Sequence, residues 1–412
     1  MSPGAGDRLT AAVGALLEAN GAAGGPIGVA ASGGSDSTAL VVAAADWARE
    51  RGTDLRVATV DHGLRLEAAS EAAQVAALCA RLGLRHDVLT LADLRLGPNL
   101  QERAREARYA ALAAWGAGTG RTCVLLGHTA DDVAETLLLR LGRGAGIDGL
   151  ARMAAWRGDR PAWGRPFLGM RREALRDRLR EEGIAWSEDA SNDDPAFARV
   201  RARRAIAALG LDPLTLAGTA AALDDARATL HARTRAIADV LVREDRGDLV
   251  IEARPLAALL GEEPEHPRRL LVAALAWVGG ARPPRRAAQL RLLDHLRDRA
   301  PLTLGGCLLS FAGDSLRIGR EPAAVGPPGP TDAVWDGRWR VEGPHEPGLA
   351  VGALGADASR VDWRATGLPR ATILASPAIR RGACLVAAPI AGWPEGWRAA
   401  PRVPFAQALA ER

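Results

Sequence analysis

The chain contains no lysine. All 53 of its basic side chains are arginine, set against 49 acids, so the formal charge is only +4 although the pI is near 9.3. Arginine forks suit phosphate and carboxylate. The excess allows a nucleic-acid partner without showing one. Cysteine is scarce, and Cys79, Cys123, Cys307 and Cys384 form no CxxC pair. That argues for reduced thiols and against a disulfide framework or a zinc site. Aromatic residues make up 4%, and the 11 tryptophans are dispersed, so no base-stacking platform is legible. No stretch approaches the roughly 20 uncharged apolar residues of a membrane span. The N-terminus lacks a basic, then apolar, then small-residue leader, which predicts a cytoplasmic protein with no membrane partner. At 48% hydrophobic and 25% charged, the chain is neither disordered nor fibrous.

Short apolar runs alternate with helical patterns instead. Strands are expected at 26–31, 55–60, 85–89 and 122–126, and helices at 36–51, 67–82, 100–115 and 131–141. This alternation predicts an α/β fold, a parallel sheet with helices on both faces. Ligands of such sheets sit at the carboxyl ends of the strands. The loops 32–37, 61–65 and 127–132 should therefore converge on one edge. With 412 residues, two or three domains of about 150 residues are expected. We place a catalytic domain at 1–212, a mainly helical domain at 213–320 and a small β-rich C-terminal segment at 331–412. The Pro/Gly-rich stretch 321–330 reads as a linker.

The first loop carries the strongest signal. Ala31-Ser32-Gly33-Gly34-Ser35-Asp36-Ser37 closes a strand and opens a helix. Two glycines let the backbone turn so that several N–H groups face one point. The serine hydroxyls and the helix dipole complete a nest for phosphate. There is no Walker lysine and no G-x-G-x-x-G, so neither a P-loop nor a dinucleotide site is indicated. Asp36 would repel phosphate unless Mg²⁺ bridges the two. After the fourth strand comes Gly127-His128-Thr129-Ala130-Asp131-Asp132-Val133-Ala134-Glu135-Thr136. Asp132 and Glu135 share a helical face, and with Asp36 they form an acidic cluster able to hold Mg²⁺ and attract an ammonium. Asp61 and His62 end the second strand, where they could shape an adenosine pocket or form a turn. Arg105 and Arg108 lie near one helical face with Tyr109. Arg199, Arg201, Arg203 and Arg204 make a cluster suited to phosphate.

The SGGxDS loop resembles the signature of the N-type ATP pyrophosphatase (PP-loop) superfamily. The GHxxDDxxET run resembles the tRNA(Ile)-lysidine synthetase family within it. Three further segments are similar to that family: Arg165-Pro166-Phe167-Leu168, Trp186-Ser187-Glu188-Asp189-Ala190-Ser191-Asn192, and Phe197-Ala198-Arg199-Val200-Arg201-Ala202-Arg203. In the last, Val200 and Ala202 depart from the family's F-x-R-N-x-[IV]-R. The resemblance covers about residues 26–205. It implies an adenine nucleotide alpha hydrolase-like fold and a carbon–nitrogen ligase. That ligase spends ATP, with Mg²⁺, to join free L-lysine to the wobble cytidine of tRNA(Ile) bearing a CAU anticodon. By the same resemblance, Ala31–Ser37, Asp61, His62, Gly127 and His128 bind ATP, while Asp36 and Asp132 hold the metal. Asp36, Asp132 and Glu135 are catalytic, and Glu135 and Arg203 bind lysine. Arg105, Arg108, Arg199, Arg203 and Arg204 meet the tRNA. A tRNA thiolase of the same superfamily and a non-catalytic nucleotide- and RNA-binding module are the alternatives. A homodimer is compatible with the sequence, which does not fix the oligomeric state.

Overall fold

The structure, a computed structural model, describes residues 5–61, 67–91, 100–158, 161–188, 194, 196–280, 284 and 286–411. The chain divides into two compact units, Met1–Arg227 and Ala228–Arg412.

In the first unit the elements run α1 (Ala5–Ala19), β1 (Ile27–Ala30), α2 (Ser35–Arg51), β2 (Leu55–Asp61), α3 (Glu67–Leu82), β3 (Arg85–Thr90), α4 (Leu100–Gly118), β4 (Cys123–Leu126) and α5 (Ala130–Leu141). Next come α6 (Ile147–Leu150), β5 (Trp156–Arg157), β6 (Ala162–Gly164), α7 (Arg172–Glu181) and α8 (Ala198–Ala208). Helix α9 (Pro213–Leu241) begins in this unit and ends in the next. The strands form one sheet in the order β3-β2-β1-β4-β6-β5. β1 pairs in parallel with β2 and β4, and only β5 runs antiparallel. The chain moves outward from β1 through β2 to β3, then returns to place β4 on the other side of β1. That reversal opens a crevice between the ends of β1 and β4.

Both faces of β1 are covered, so it reads as an unbroken apolar run rather than an alternating one. Ile27 and Val29 pack with α1, α2, α3 and α7, while Ala30 packs with Leu112 and Trp115 of α4. A side chain at Gly28 would lie 2.8 Å from the Trp115 ring, so only glycine lets α4 come this close. Leu40 of α2 has no exposed surface; truncating such a leucine to alanine costs about 2–5 kcal/mol.

The second unit contains β7 (Val242–Asp245), β8 (Asp248–Glu252), α10 (Ala253–Ala258), α11 (Glu265–Gly279), α12 (Arg286–Asp298), β9 (Leu302–Leu304), β10 (Cys307–Ala312) and β11 (Ser315–Arg320). Its first sheet is antiparallel, ordered β7-β8-β11-β10-β9. The helices expected here are present, but β7 and β8 were not anticipated. Then follow β12 (Gly329–Pro330), β13 (Trp339–Glu342), β14 (Leu349–Ala353), α13 (Arg370–Ala375), β15 (Pro377–Arg381), β16 (Cys384–Ala387), β17 (Arg398–Pro401) and α14 (Phe405–Ala410). These strands build a four-stranded and a two-stranded sheet around a tryptophan-rich core. The stretch 321–330 is pinned rather than loose. Asp336 accepts from Arg320 at 2.8 Å on one side and from the Gly326 N–H at 2.9 Å on the other. No single helix among the described residues is long and apolar enough to cross a membrane.

Candidate active site

The crevice at the ends of β1 and β4 is a cavity of about 920 Å³. Its floor is the loop into α2. Gly33 adopts φ +84°, the left-handed region that suits glycine. The turn is locked from within: Ser37 Oγ accepts from the Ser32 N–H at 3.1 Å and donates to the Gly34 carbonyl at 3.0 Å. The Thr38 hydroxyl donates to the Gly33 carbonyl at 3.2 Å. From above, the Ser187 N–H donates to that same carbonyl at 2.8 Å, and the Ser187 hydroxyl reaches Gln74 of α3. Gly127 presses the β4 loop onto this turn. A Cβ there would stand 2.8 Å from the Asp36 carbonyl oxygen and 3.0 Å from the Ser37 nitrogen. Gly127→Ala is therefore expected to shift the first turn of α2, costing about 1–3 kcal/mol of stability and slowing ATP consumption about tenfold. An unchanged rate would show that the contact relaxes without moving Asp36.

Asp131 and Asp132 diverge in role although they are neighbours. Asp131 accepts the Arg172 backbone N–H at 2.8 Å, pinning the start of α7. Asp132 turns inward and is 6% exposed. Its Oδ2 accepts the Thr129 N–H at 2.9 Å and hydroxyl at 3.0 Å, capping α5. Its Oδ1 faces Arg199 at 3.1 Å and Arg172 at 3.5 Å. One turn along, Glu135 is 1% exposed and accepts from Arg203 Nε at 3.0 Å. Arg199 and Arg203 stand four apart on α8, so one face of that helix meets the acidic face of α5. Val200 and Ala202, the two departures from the family pattern, are buried. They pack rather than act, where an asparagine would need polar partners.

Burial pushes the Asp36 carboxyl above the usual range, against the pull of Arg172. Burial likewise holds Glu135 up. For Asp132 burial is outweighed by Arg172, His128, the Thr129 N–H and Arg199, and its carboxyl lies below the ordinary value. Burial brings His128 down to about 4, so it is a neutral imidazole at neutral pH. Its Nδ1 is buried without a hydrogen-bond partner.

The cavity brings together Ser32, Gly34, Ser35, Asp36, Ser37, Gly127, His128, Asp132, Arg105, Arg108, Arg199 and Arg203. Ala31, Gly33, Asp61, Glu135 and Arg204 do not line it. Ala31 and Gly33 shape the loop behind the floor. Asp61 sits half-buried at the end of β2, and Arg204 is exposed on α8. Glu135 reaches the cavity only through the arginines it holds. His62 and residues 189–193 lie outside the described residues. On the α4 wall, Arg105 donates to the Tyr109 hydroxyl at 3.3 Å and lies over its ring. Arg108 has no hydrogen-bond or ion-pair partner among the described residues, and burial lowers its pKa. That leaves a cation available to an incoming anion.

Sequence reasoning missed α7. Arg172 donates to Asp36 at 2.8 Å and stands 3.5 Å from Asp132 and 3.7 Å from Glu135. Arg176, one turn on, reaches the Ser35 hydroxyl at 3.4 Å. The spacing of Leu175 and Leu179, both fully buried, could have announced an amphipathic helix here, but not which of its arginines enters the site.

The chemistry of the pair Asp36 and Asp132 suits Mg²⁺. One guanidinium already spans both carboxylates, so a single cation can be shared. No cluster of three or more His, Cys, Asp or Glu exists among the described residues to form a cage. Two carboxylates, with the remaining ligands from phosphate and water, are the usual Mg²⁺ set.

Comparison with known proteins agrees with this geometry. The family model of the PP-loop domain matches residues 9–209. The tRNA(Ile)-lysidine synthase of Ruegeria pomeroyi is 47% identical over 381 residues, covering 90% of both chains. That of Hyphomonas neptunium is 40% identical, covering 69% of this chain and 78% of its own. That of Rhizobium meliloti is 36% identical, covering 81% and 76%. A phosphate-cradling loop at the sheet's reversal point, an acidic pair beside it and similarity to these synthases, over 90% of both chains for that of Ruegeria pomeroyi, lead to one conclusion: the chain belongs to the tRNA(Ile)-lysidine synthase family.

Proposed function

We propose that this chain uses ATP to activate C2 of the wobble cytidine of tRNA(Ile) with a CAU anticodon. It then ligates free L-lysine there, releasing AMP and pyrophosphate. The observation that carries the reading is the single cavity in which the phosphate loop, the acidic pair and the arginines of α4, α7 and α8 converge.

Cytosine O2 is a weak nucleophile and must meet the α-phosphorus in line. Positioning and charge neutralisation dominate such a step. The N–H groups and hydroxyls of Ser32–Ser37 hold the leaving pyrophosphate. Asp36 and Asp132 would hold Mg²⁺, which when bound neutralises phosphate charge. Asp36, Asp132 and Glu135 set the charge of the site. Arg203 lines the cavity with Glu135 fixed behind it, and this pair positions lysine by its charged ends. The lysine ε-amine, with a reference pKa of about 10.4, must lose a proton before it attacks C2. Carboxylates on the cavity wall are the acceptors within the site. Unstacking the target base costs on the order of a few kcal/mol, least where it is already single-stranded. Arg105, Arg108, Arg199 and Arg204 are assigned to tRNA phosphates. The regions 213–320 and 331–412 are assigned to the rest of the tRNA.

The thiolase reading is not favoured. Burial pushes the Cys79 thiol up to about 11 and those of Cys123 and Cys307 up to about 12. Cys384 is exposed, and no cysteine lines the cavity. Incubating the protein with ATP, radiolabelled lysine and unmodified tRNA(Ile) is expected to place label in the RNA and to yield AMP. ADP and orthophosphate in place of AMP, or sulfur in the product, would overturn the assignment.

A further inference from the structure

We propose that Arg172 is a catalytic residue that trades partners: it holds the acidic cluster before substrate enters, and turns onto the ATP phosphates when metal takes the carboxylates. The inference rests on the ATP-dependent reading above and deepens it.

Its basis is how Arg172 is engaged. The guanidinium points a different nitrogen at each of three acids. Nε is hydrogen-bonded to Asp36 at 2.8 Å, while the other two nitrogens stand 3.5 Å from Asp132 and 3.7 Å from Glu135. Only the first is a hydrogen bond; the others are ion pairs without one. The fork is thus held by charge yet mostly unspent as a donor. Arg199 and Arg203, by contrast, each make a direct bond to one acid, at 3.1 Å and 3.0 Å. Arg172 also lines the cavity, and its backbone N–H is tied to Asp131, so the side chain can swing while its root stays fixed.

Charge explains why it should move. Asp36, Asp132 and Glu135 carry three negative charges, and Arg172, Arg199 and Arg203 carry three positive ones. These six charges cancel, so the cluster offers a divalent cation arriving alone no net attraction. ATP arriving with the metal brings the missing negative charge. Asp36 and Asp132 would hold that metal, and Arg172, no longer needed by them, would be free to turn onto the phosphates. There its planar fork can donate to two phosphate oxygens at once. The device keeps the carboxylates spaced for metal yet discourages metal without nucleotide.

The two halves predict opposite changes. Titrating Mg²⁺ alone into nucleotide-free Arg172→Ala enzyme by calorimetry should show binding about tenfold tighter than wild type, because a competing positive charge is gone. The same variant should form AMP from ATP, tRNA and lysine about a thousandfold more slowly, the scale of an arginine acting on a transferring phosphoryl group. A purely structural arginine would weaken both. Metal affinity unchanged or weaker overturns the exchange, and AMP formation within threefold of wild type overturns the catalytic role. Arg172→Gln, which keeps the length of the side chain without its charge, is read by the same two criteria should the alanine variant fail to fold. The metal titration needs neither tRNA nor lysine. A wild-type protein that forms no AMP would therefore sink the functional reading while leaving the exchange decidable.

Discussion

Asp132→Asn is expected to lower ATP-dependent AMP formation by a factor of about a thousand or more while the melting temperature moves little. Asparagine is the informative replacement because Asp132 does two jobs with two oxygens. Oδ2 caps α5 through the Thr129 N–H and hydroxyl, and Oδ1 faces Arg199 and Arg172. An amide oxygen can still accept the Thr129 N–H, so the cap survives in part. Alanine would remove the cap as well, at about 1 kcal/mol, and would leave a void beside Arg172. Charge is what asparagine takes away, and Asp132 is the acid in the cluster whose carboxyl lies below the ordinary range. It is thus the group most firmly ionised where a cation is to be held. The check is AMP release followed alongside circular-dichroism melting. A folded variant with wild-type turnover would remove Asp132 from the chemistry.

Much of the site was legible because its residues follow apolar runs directly. β1, β2, β3 and β4 were expected to within a residue or two, and the glycine-serine loop and the DDxxE face are short motifs with a mechanical reason for every position. Arg172 and Arg176 were not legible. The segment Arg171-Arg172-Glu173-Ala174-Leu175-Arg176-Asp177-Arg178-Leu179-Arg180 reads as a solvated charged helix, and in a chain whose only base is arginine no single arginine stands out. Only the three-dimensional approach of α7 to α2 and α5 separates Arg172 from its neighbours. The hairpin of β7 and β8 escaped for a different reason. Asp245 pairs with Asp248 across Arg246 and Gly247, whose φ values are +51° and +91°, a two-residue turn with both centres left-handed. Its strands follow α9 without a break, and the charged run Arg243-Glu244-Asp245-Arg246 continues the helical pattern better than it announces a strand.

Arg338→Ala is expected to destabilise the second unit by about 3–5 kcal/mol, from two buried carbonyls left without their donor and the void left by the side chain. Arg338 is 7% exposed. Its guanidinium donates to the Val278 carbonyl at 2.6 Å and to the Gly247 carbonyl at 2.5 Å, and it lies over the rings of Trp277 and Trp339. Those partners belong to α11, to the β7–β8 turn and to β13, so one side chain joins the five-stranded sheet to the tryptophan-rich segment that follows it. Gly247 must be glycine for this to happen, since a Cβ there would stand 2.4 Å from the Trp339 ring. Burial pushes the arginine down to about 10, which leaves it charged at neutral pH. The cost of burying that charge is met by the two carbonyls and the two ring faces. Truncation leaves both carbonyls without a donor, at about 1–3 kcal/mol each, and opens a void between two indoles. Arg338→Met fills the void but not the carbonyls, so it should recover part of the loss. Urea denaturation of the three proteins, followed by tryptophan fluorescence, orders them wild type, methionine, alanine. If alanine unfolds at the wild-type midpoint, Arg338 is not what binds the C-terminal segment to the sheet before it, and other contacts between them, including Arg320–Asp336, Asp248–Thr372 and Trp277 with the Val403 carbonyl, suffice.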